Sequence, residues 1–553
     1  MFSFRNIFLQ NRLNVTMLIF LGLGQAVCYV VMSKGVQYIY DDFLIANDFR
    51  HMRELCRPAA VMLLAALLNC LAFMKERVLA EHIGQGVIHR LRAKIFRHLV
   101  RVYPKELERK NKGGMSLRLV NDMMAIRQWI TLGLSRIVVS GVCVVLTLTA
   151  LASMSIELSV TVFFFVILGV AYSVFLGPVL KQCVSEVRKR RARLANNVGE
   201  KINAIRTIQV FGQERYETRK VKRQSSCLVD AMVERARMIG LLRGGVMTIT
   251  GLSTMGALLV GSYLVSIGKI TAGTVAAFIS IIGFLVPALR DFGRIYEYWV
   301  SFKVAAEKIA EVFELPRMKV NRKGFCVKDG FRGEVEFKEV RVQGVFSHFS
   351  AKVKAKSKIV ITGLNGVGKS TLFNLLLGVA EPDQGTILVD GKSLEKWDIR
   401  SLRTHIGVVS PNVPLLRGSL KKNVTYSNHK IADDHIHKVI EILGLSEKVN
   451  QLPHGLQARL LERGCNFSSG EQQVFALTRA LLGKPKILLL DEVDSHLDAP
   501  AQKMVAELIR NYEGTVLFIT HHDILAGVAN DKWELSKKKD VKDETEHEYS
   551  IVK

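Results

Sequence analysis

Two folds in series are predicted by this sequence: an all-α six-helix transmembrane domain with long cytoplasmic helices over residues 1–315, then an α/β P-loop domain over residues 333–537. Three observations predict them. Six long apolar windows without a charged residue lie between positions 15 and 289. Beyond residue 315 the composition changes to short β-branched runs that alternate with amphipathic helical stretches. One of those runs opens directly onto a glycine-rich loop that ends in Lys-Ser-Thr. Residues 316–332 read as a linker and 538–553 as a charged tail.

The windows are 15–33, 58–74, 137–156, 158–180, 244–268 and 270–289. At ~1.5 Å per residue each crosses, or nearly crosses, a hydrocarbon core of ~30 Å. A buried helix of a soluble core would explain one such window, but not six within 290 residues. The basic N-terminal stretch before the first window has the look of a secretory signal. That window is long enough to span, and no cleavage-like stretch follows, so a first transmembrane helix is expected. Only Glu157 separates the third and fourth windows and only Lys269 the fifth and sixth, which predicts tight turns at one membrane face.

Charge sets the orientation. Segments 75–136 and 181–243 carry 14 and 16 Lys and Arg residues, whereas 34–57, 157 and 269 together carry five. The long basic segments are therefore expected in the cytoplasm, with the N-terminus and everything after residue 290. This asymmetry accounts for much of the net charge of +27 without nucleic acid. Arg188–Arg193 reads as a solvated juxtamembrane helix face. The eight cysteines lack CxxC spacing, so neither a disulfide framework nor a zinc site is expected.

The second half carries the chemistry. Gly363, Leu364, Asn365, Gly366, Val367, Gly368, Lys369, Ser370 and Thr371 fit GxxxxGK[ST] and lie between an apolar strand and a helix. The glycines let backbone N–H groups wrap phosphates, Lys369 reaches the outer phosphates and Ser370 can ligate Mg2+. A buried strand, 487–491, ends in Asp491 and Glu492. Asp491 suits the metal, and Glu492 suits polarising an attacking water. His521 follows another strand and is placed to contact a γ-phosphate; His522 is the weaker candidate.

Between these motifs, Asn466, Phe467, Ser468, Ser469, Gly470 and Glu471 resemble the signature motif of ATP-binding cassette proteins, and the second half is identified as such a cassette. The resemblance implies that Ser468, Ser469, Gly470 and Glu471 contact ATP held by an opposite subunit. Ser495 and Asp498 resemble the loop that lines the cassette dimer, and 461–464 the exporter-type segment before the signature. In the first half, 113–122, 200–214 and 268–278 resemble exporter coupling segments and the approach to the last helix. The family thus implies a half-transporter with ATP and Mg2+ as cofactors, working as a dimer with a copy of itself or another subunit. It implies an ATPase coupled to transmembrane movement, with export expected. A heterodimer with a weakened nucleotide site, or an ATP-gated membrane regulator, is the alternative. The expected setting is multi-pass in a bacterial inner membrane, with N-terminus and cassette cytoplasmic and no nucleic-acid partner.

Two positions depart from the family pattern. Gly344 stands where an adenine-stacking aromatic is expected, with Phe346 or Phe349 as possible substitutes. Pro411, followed by Asn412, stands where the family has a glutamine that senses Mg2+ and water; proline offers no side-chain donor or acceptor. The windows themselves hold only soft polar groups, among them Gln25, Asn69, Thr147 and Thr161. They point to a lipid, peptide, drug or other amphiphile as cargo rather than an inorganic ion.

Overall fold

The computed structural model describes residues 12–45, 55–109, 122–319, 321, 324–538 and 548–552. The chain divides into two compact units, residues 1–100 with 110–315 and residues 101–109 with 316–553. The motif at 113–121 lies outside the described residues.

The first unit is helical. Its long helices are α1 (Arg12–Tyr38), α2 (Cys56–Leu99), α3 (Met123–Met154), α4 (Ile156–Asn203), α5 (Glu214–Ser266) and α6 (Ala272–Phe313). Five are long and apolar enough to cross a membrane, and α6 opens with a shorter apolar stretch, Ala272–Phe284. Spans run on into the basic segments without a break in α2, α4 and α5. The 48 residues of α4 run ~72 Å and the 53 of α5 ~80 Å, well beyond one bilayer.

The tight turns end where capping chemistry stops the helices. Ser155 is extended and caps α4 by accepting from the Leu158 N–H. Gly268 turns with φ +70°, and Thr271 caps α6 by accepting from the Thr274 N–H at 3.2 Å. Glu157 and Lys269, the two charges that separate the windows, meet across the turns at 3.3 Å. Apolar side chains lie open on the outer faces: Leu63, Leu67 and Leu71 of α2 and Phe164, Ile167 and Phe175 of α4 are exposed, as lipid contact requires. Inside, Leu18, Ile83, Val87, Trp129 and Phe302 form one core, and Leu151, Leu158, Phe278 and Ile281 a second.

Three of the soft polar groups are satisfied locally. Gln25 is buried and donates to the buried Glu76 at 3.0 Å. The hydroxyls of Thr147 and Thr161 return to carbonyls of their own helices.

The second unit is an α/β domain. Its strands are β1 (Val335–Val342), β2 (Phe346–Val353), β3 (Lys358–Gly363), β4 (Gln384–Val389), β5 (Lys392–Ser393), β6 (Ile406–Val409), β7 (Ile487–Asp491), β8 (Thr515–Ile519), β9 (Asp531–Lys538) and β10 (Glu548–Val552). One sheet has the order β10-β9-β3-β8-β7-β6, and an antiparallel sheet has the order β2-β1-β4-β5. In the larger sheet all pairs are parallel except β9 with β10. Its central strands are buried on both faces, which is why they read as unbroken apolar runs.

Register builds the site. Ile519 pairs with both Ile361 and Asp491, and Val409 pairs with Leu490. The parallel strands therefore end together. The loop after β3, the carboxylates after β7, the histidines after β8 and Ser410 after β6 emerge at one carboxyl edge, where open α/β sheets bind ligands.

Candidate nucleotide site

The loop after β3 turns on glycines in the left-handed region, with φ +141° at Gly363, +80° at Gly366 and +105° at Gly368. Val367 is buried in the core below and anchors the loop. Leu364, Asn365 and Gly366 are exposed above it. Lys369 opens helix α7 (Lys369–Leu376). It is buried and donates to the Gly363 carbonyl at 2.6 Å and the Leu364 carbonyl at 3.4 Å. Burial lowers its pKa, against the pull of Glu492 and Asp491. A Cβ on Gly368 would lie 2.4 Å from Val345 Cγ1 and 2.8 Å from the Phe346 ring. Gly368→Ala is therefore expected to weaken nucleotide binding at least about tenfold, since strain at such a position costs roughly 1–3 kcal/mol. Fluorescent ATP-analogue titration measures this.

Asp491 ends β7 and is buried. Burial raises its pKa; bonds from the Ser370 and Ser410 hydroxyls and the nearby Lys369 pull it down, while Glu492 pushes it up. The Ser410 hydroxyl donates to Asp491 Oδ2 at 3.1 Å and accepts from the Asn412 N–H at 3.3 Å. One buried carboxylate with two hydroxyls suits a hard cation that takes its remaining oxygens from phosphates and water. No cluster of three or more His, Cys, Asp or Glu that could hold a metal occurs among the described residues.

Glu492 sits at φ +51°, a left-handed conformation that non-glycine residues rarely adopt. Its N–H donates to the Ile519 carbonyl at 3.0 Å. Its carbonyl accepts from Gln473 Nε2 at 3.3 Å and from the Ser495 hydroxyl at 3.0 Å. These bonds over-determine the strained residue. Its carboxylate lies 3.9 Å from His521 Nε2, with both side chains partly open to solvent. Behind them the buried Asp494 accepts a bond from Thr520, whose hydroxyl also accepts from the His522 N–H at 2.9 Å. Asp494, Thr520 and Ser410 were not singled out in the sequence. Their positions immediately after the strands of the same edge are the signal that identifies them.

The signature segment caps helix α8 (Ser469–Leu481). Ser468 accepts from the Glu471 N–H at 3.2 Å, and Glu471 accepts from the Ser468 N–H at 2.9 Å, a capping box. Burial raises the Glu471 pKa, but Lys448 at 2.7 Å and the Ser468 bonds outweigh it and hold the carboxyl low. Glu471 is thus engaged within its own chain. Ser468, Ser469 and Gly470 make no hydrogen bond to the 363–371 loop among the described residues; Ser468 and Ser469 are exposed. Gln473 ties the helix to Ser495 at 3.0 Å. Asp498 caps helix α9 (Ala499–Asn511), accepting from the Ala501 N–H at 3.0 Å.

Both departures have a structural form. Gly344 turns with φ +76° and open space around it. Phe346 and Phe349 do not replace the missing aromatic. Both are buried, with ring centroids 5.3 Å apart, packed with Phe337 and Trp533. They are three positions apart, and the bulge in β2 between their partners Val342 and Val340 turns both into the core, which corrects the expectation of a substitute. Pro411 and Asn412 are exposed. Their loop is held by Arg479 of α8, which donates to the carbonyls of Val413 at 2.6 Å and Pro414 at 3.1 Å.

Family models agree with this architecture. The ABC transporter transmembrane region matches residues 15–289, and the ABC transporter domain matches residues 346–495. The chain belongs to the ATP-binding cassette (ABC) transporters, with the membrane domain and the cassette fused in one chain. It is an exporter-type half-transporter that couples ATP hydrolysis to movement across a membrane, and an integral multi-pass membrane protein. It is 26% identical over 497 residues to YfiB of Bacillus subtilis, an ABC transporter ATP-binding protein, covering 87% of this chain and 84% of that one. It is 25% identical over 516 residues to an ATP-dependent lipid A-core flippase of Legionella pneumophila, covering 91% and 86%. A bacterial Atm1-family ABC exporter with ATP bound matches its fold with a TM-score of 0.84 at 19% identity, covering 95% and 94% of the two chains.

Proposed function

We propose that the cassette hydrolyses Mg2+-ATP at the carboxyl edge of its larger sheet, in a dimer whose second cassette completes each site. The observation that carries this reading is the convergence of the glycine loop, Lys369, Asp491 with its two serines, and the Glu492–His521 pair at that edge. In this reading the Gly363–Thr371 backbone and Lys369 hold the phosphates. Ser370 and Asp491 hold Mg2+, which would supply charge neutralisation at the β- and γ-oxygens. Glu492 accepts a proton from the attacking water, and His521 orients toward the γ-phosphate. Ser468 and Ser469 are exposed and Gly470 half-buried at a capped helix N-terminus, and the three serve the nucleotide of the partner cassette. Ser495 and Asp498 shape the turn beside it. The partner is a second half-transporter, a copy of this chain or another subunit. The membrane domain spans 1–315 and the cassette 333–537. The charge bias of the loops supports a cytoplasmic N-terminus and cassette, and the bacterial relatives support an inner-membrane setting.

Pro411 removes the family's glutamine, and Ser410 takes over as the positioning residue of the metal site through its bond to Asp491. Ser410→Ala is expected to raise the Mg2+ concentration for half-maximal ATP turnover about 10- to 100-fold, the usual effect of losing a residue that orients a metal ligand. The KM for ATP at saturating Mg2+ should stay within about twofold of wild type, because Ser410 touches no phosphate-binding group. Phosphate release by the full chain in lipid nanodiscs tests both points. Turnover that survives chelation of Mg2+ would overturn the proposed site, and an unchanged Mg2+ requirement in Ser410→Ala would remove Ser410 from it.

A further inference from the structure

We infer that the membrane unit holds an oxyanion-binding cavity just past the inner ends of its spans, and that the cargo is an anionic amphiphile whose headgroup seats there. This deepens the transporter reading and rests on it. A cavity of about 600 Å³ lies among α2, α3, α4, α5 and α6. Arg77, Arg188, Arg191, Arg235, Arg243 and Arg294 line it, and among the described residues Glu297 is the one carboxylate in the lining.

Glu297 neutralises part of this charge. Arg235 pairs with it at 2.5 Å, and its own Nε is buried without a partner. Arg188 is bonded to Ser301, whose hydroxyl donates to the Glu297 carbonyl at 2.7 Å. Arg77, Arg191, Arg243 and Arg294 make no hydrogen bond or ion pair to a described residue. A guanidinium does not shed its proton in a protein, so the excess positive charge persists. Field lines focused in such a cleft raise the local concentration of anions. The planar fork of arginine also matches phosphate and carboxylate geometry.

A generic positive-inside bias does not explain this arrangement. Lys189 and Arg190, on the same helix, line a different hollow with Glu186, Asp230 and Glu234, where Arg190 meets Glu186 at 2.8 Å. Cations there are balanced by carboxylates, whereas in the first cavity six arginines share one described lining carboxylate, Glu297, with Asp122 near Arg188 outside the lining. Within Arg188–Arg193, Lys189, Arg191 and Arg193 are exposed, as a solvated helix face requires, and Arg188 and Arg190 are half-buried. The same lining includes Leu180, Val184, Val187 and Leu242, so an apolar tail can continue from a bound headgroup toward the spans. The helical period carried this signal: 180, 184, 187 and 191, then 235, 239 and 242, then 294, 298 and 301 each share one helix face.

The test uses the full chain in phosphatidylcholine nanodiscs without nucleotide, with dodecyl phosphate, dodecyltrimethylammonium, dodecyl maltoside and inorganic phosphate as probes. Trp129 and Trp299 lie with tilted rings, centroids 4.9 Å apart, beside lining residues, and their fluorescence reports occupancy. Dodecyl phosphate is expected to bind at least about tenfold more tightly than either other dodecyl probe, the scale of one charge-assisted bond. The double variant Arg243→Gln with Arg294→Gln should lose about 10- to 100-fold of that affinity, and Lys at both positions should recover part of it. Equal binding of the cationic probe would overturn the proposal. Inorganic phosphate binding as tightly as dodecyl phosphate would overturn the amphiphile assignment. The headgroup series on the wild-type chain decides even if the variants fail to fold. ATP turnover, measured separately, distinguishes the two readings: absent anion preference with intact turnover sinks only the cavity, and intact preference without turnover sinks only the ATPase site.

Discussion

Glu492→Gln is expected to lower ATP turnover by roughly 100- to 10,000-fold, the contribution of a positioned general base, while ATP still binds. The glutamine keeps the size of the side chain and its left-handed backbone, so the bonds from Gln473 and Ser495 to the residue 492 carbonyl remain. Asp491, Ser370 and Lys369 are untouched. Only the acceptor for the proton of the attacking water is lost. The variant should hold unhydrolysed ATP and stay associated with its partner cassette, which native mass spectrometry reads as a nucleotide-loaded dimer. Release of ADP from the variant at the wild-type rate would remove Glu492 from the chemistry.

Lys369→Ala should act one step earlier, by weakening ATP binding about 10- to 100-fold, the scale of a lost charge-assisted hydrogen bond. Lys369 lies folded on the Gly363 and Leu364 carbonyls, close to where the phosphates of a bound nucleotide would rest. Its ammonium is also the cation set against Asp491 and Glu492. Without it, two carboxylates face an incoming triphosphate with one compensating charge fewer. Equilibrium binding of a fluorescent ATP analogue measures the loss, and the thermal midpoint without nucleotide checks that the cassette still folds. Together the two variants separate holding ATP from cleaving it.

Much of this site was legible in the sequence because its parts are short contiguous stretches. The 363–371 loop must wrap a phosphate with consecutive N–H groups, so its glycines and lysine have fixed spacing. Asp491 and Glu492 end an apolar run because β7 is buried on both faces. The membrane spans were legible for a related reason, since lipid demands unbroken apolar lengths. What was not legible depends on contacts between distant residues. Ser410 meets Asp491 across 81 positions, through the register of β6 on β7. Phe346 and Phe349 are candidates for a base-stacking role by sequence, but a bulge in β2 turns both into the core. Glu471 read as a contact for a partner's nucleotide, yet its carboxylate is engaged by Ser468 and Lys448. The arginine cavity draws on five helices, and no single stretch of sequence spells it.

The most direct test is phosphate release by the full-length chain in lipid nanodiscs, with wild type beside Glu492→Gln at saturating ATP and Mg2+. Turnover in the wild type that stops on chelation and falls at least about 100-fold in the variant is the predicted result. Wild-type turnover no greater than that of Glu492→Gln would contradict the account.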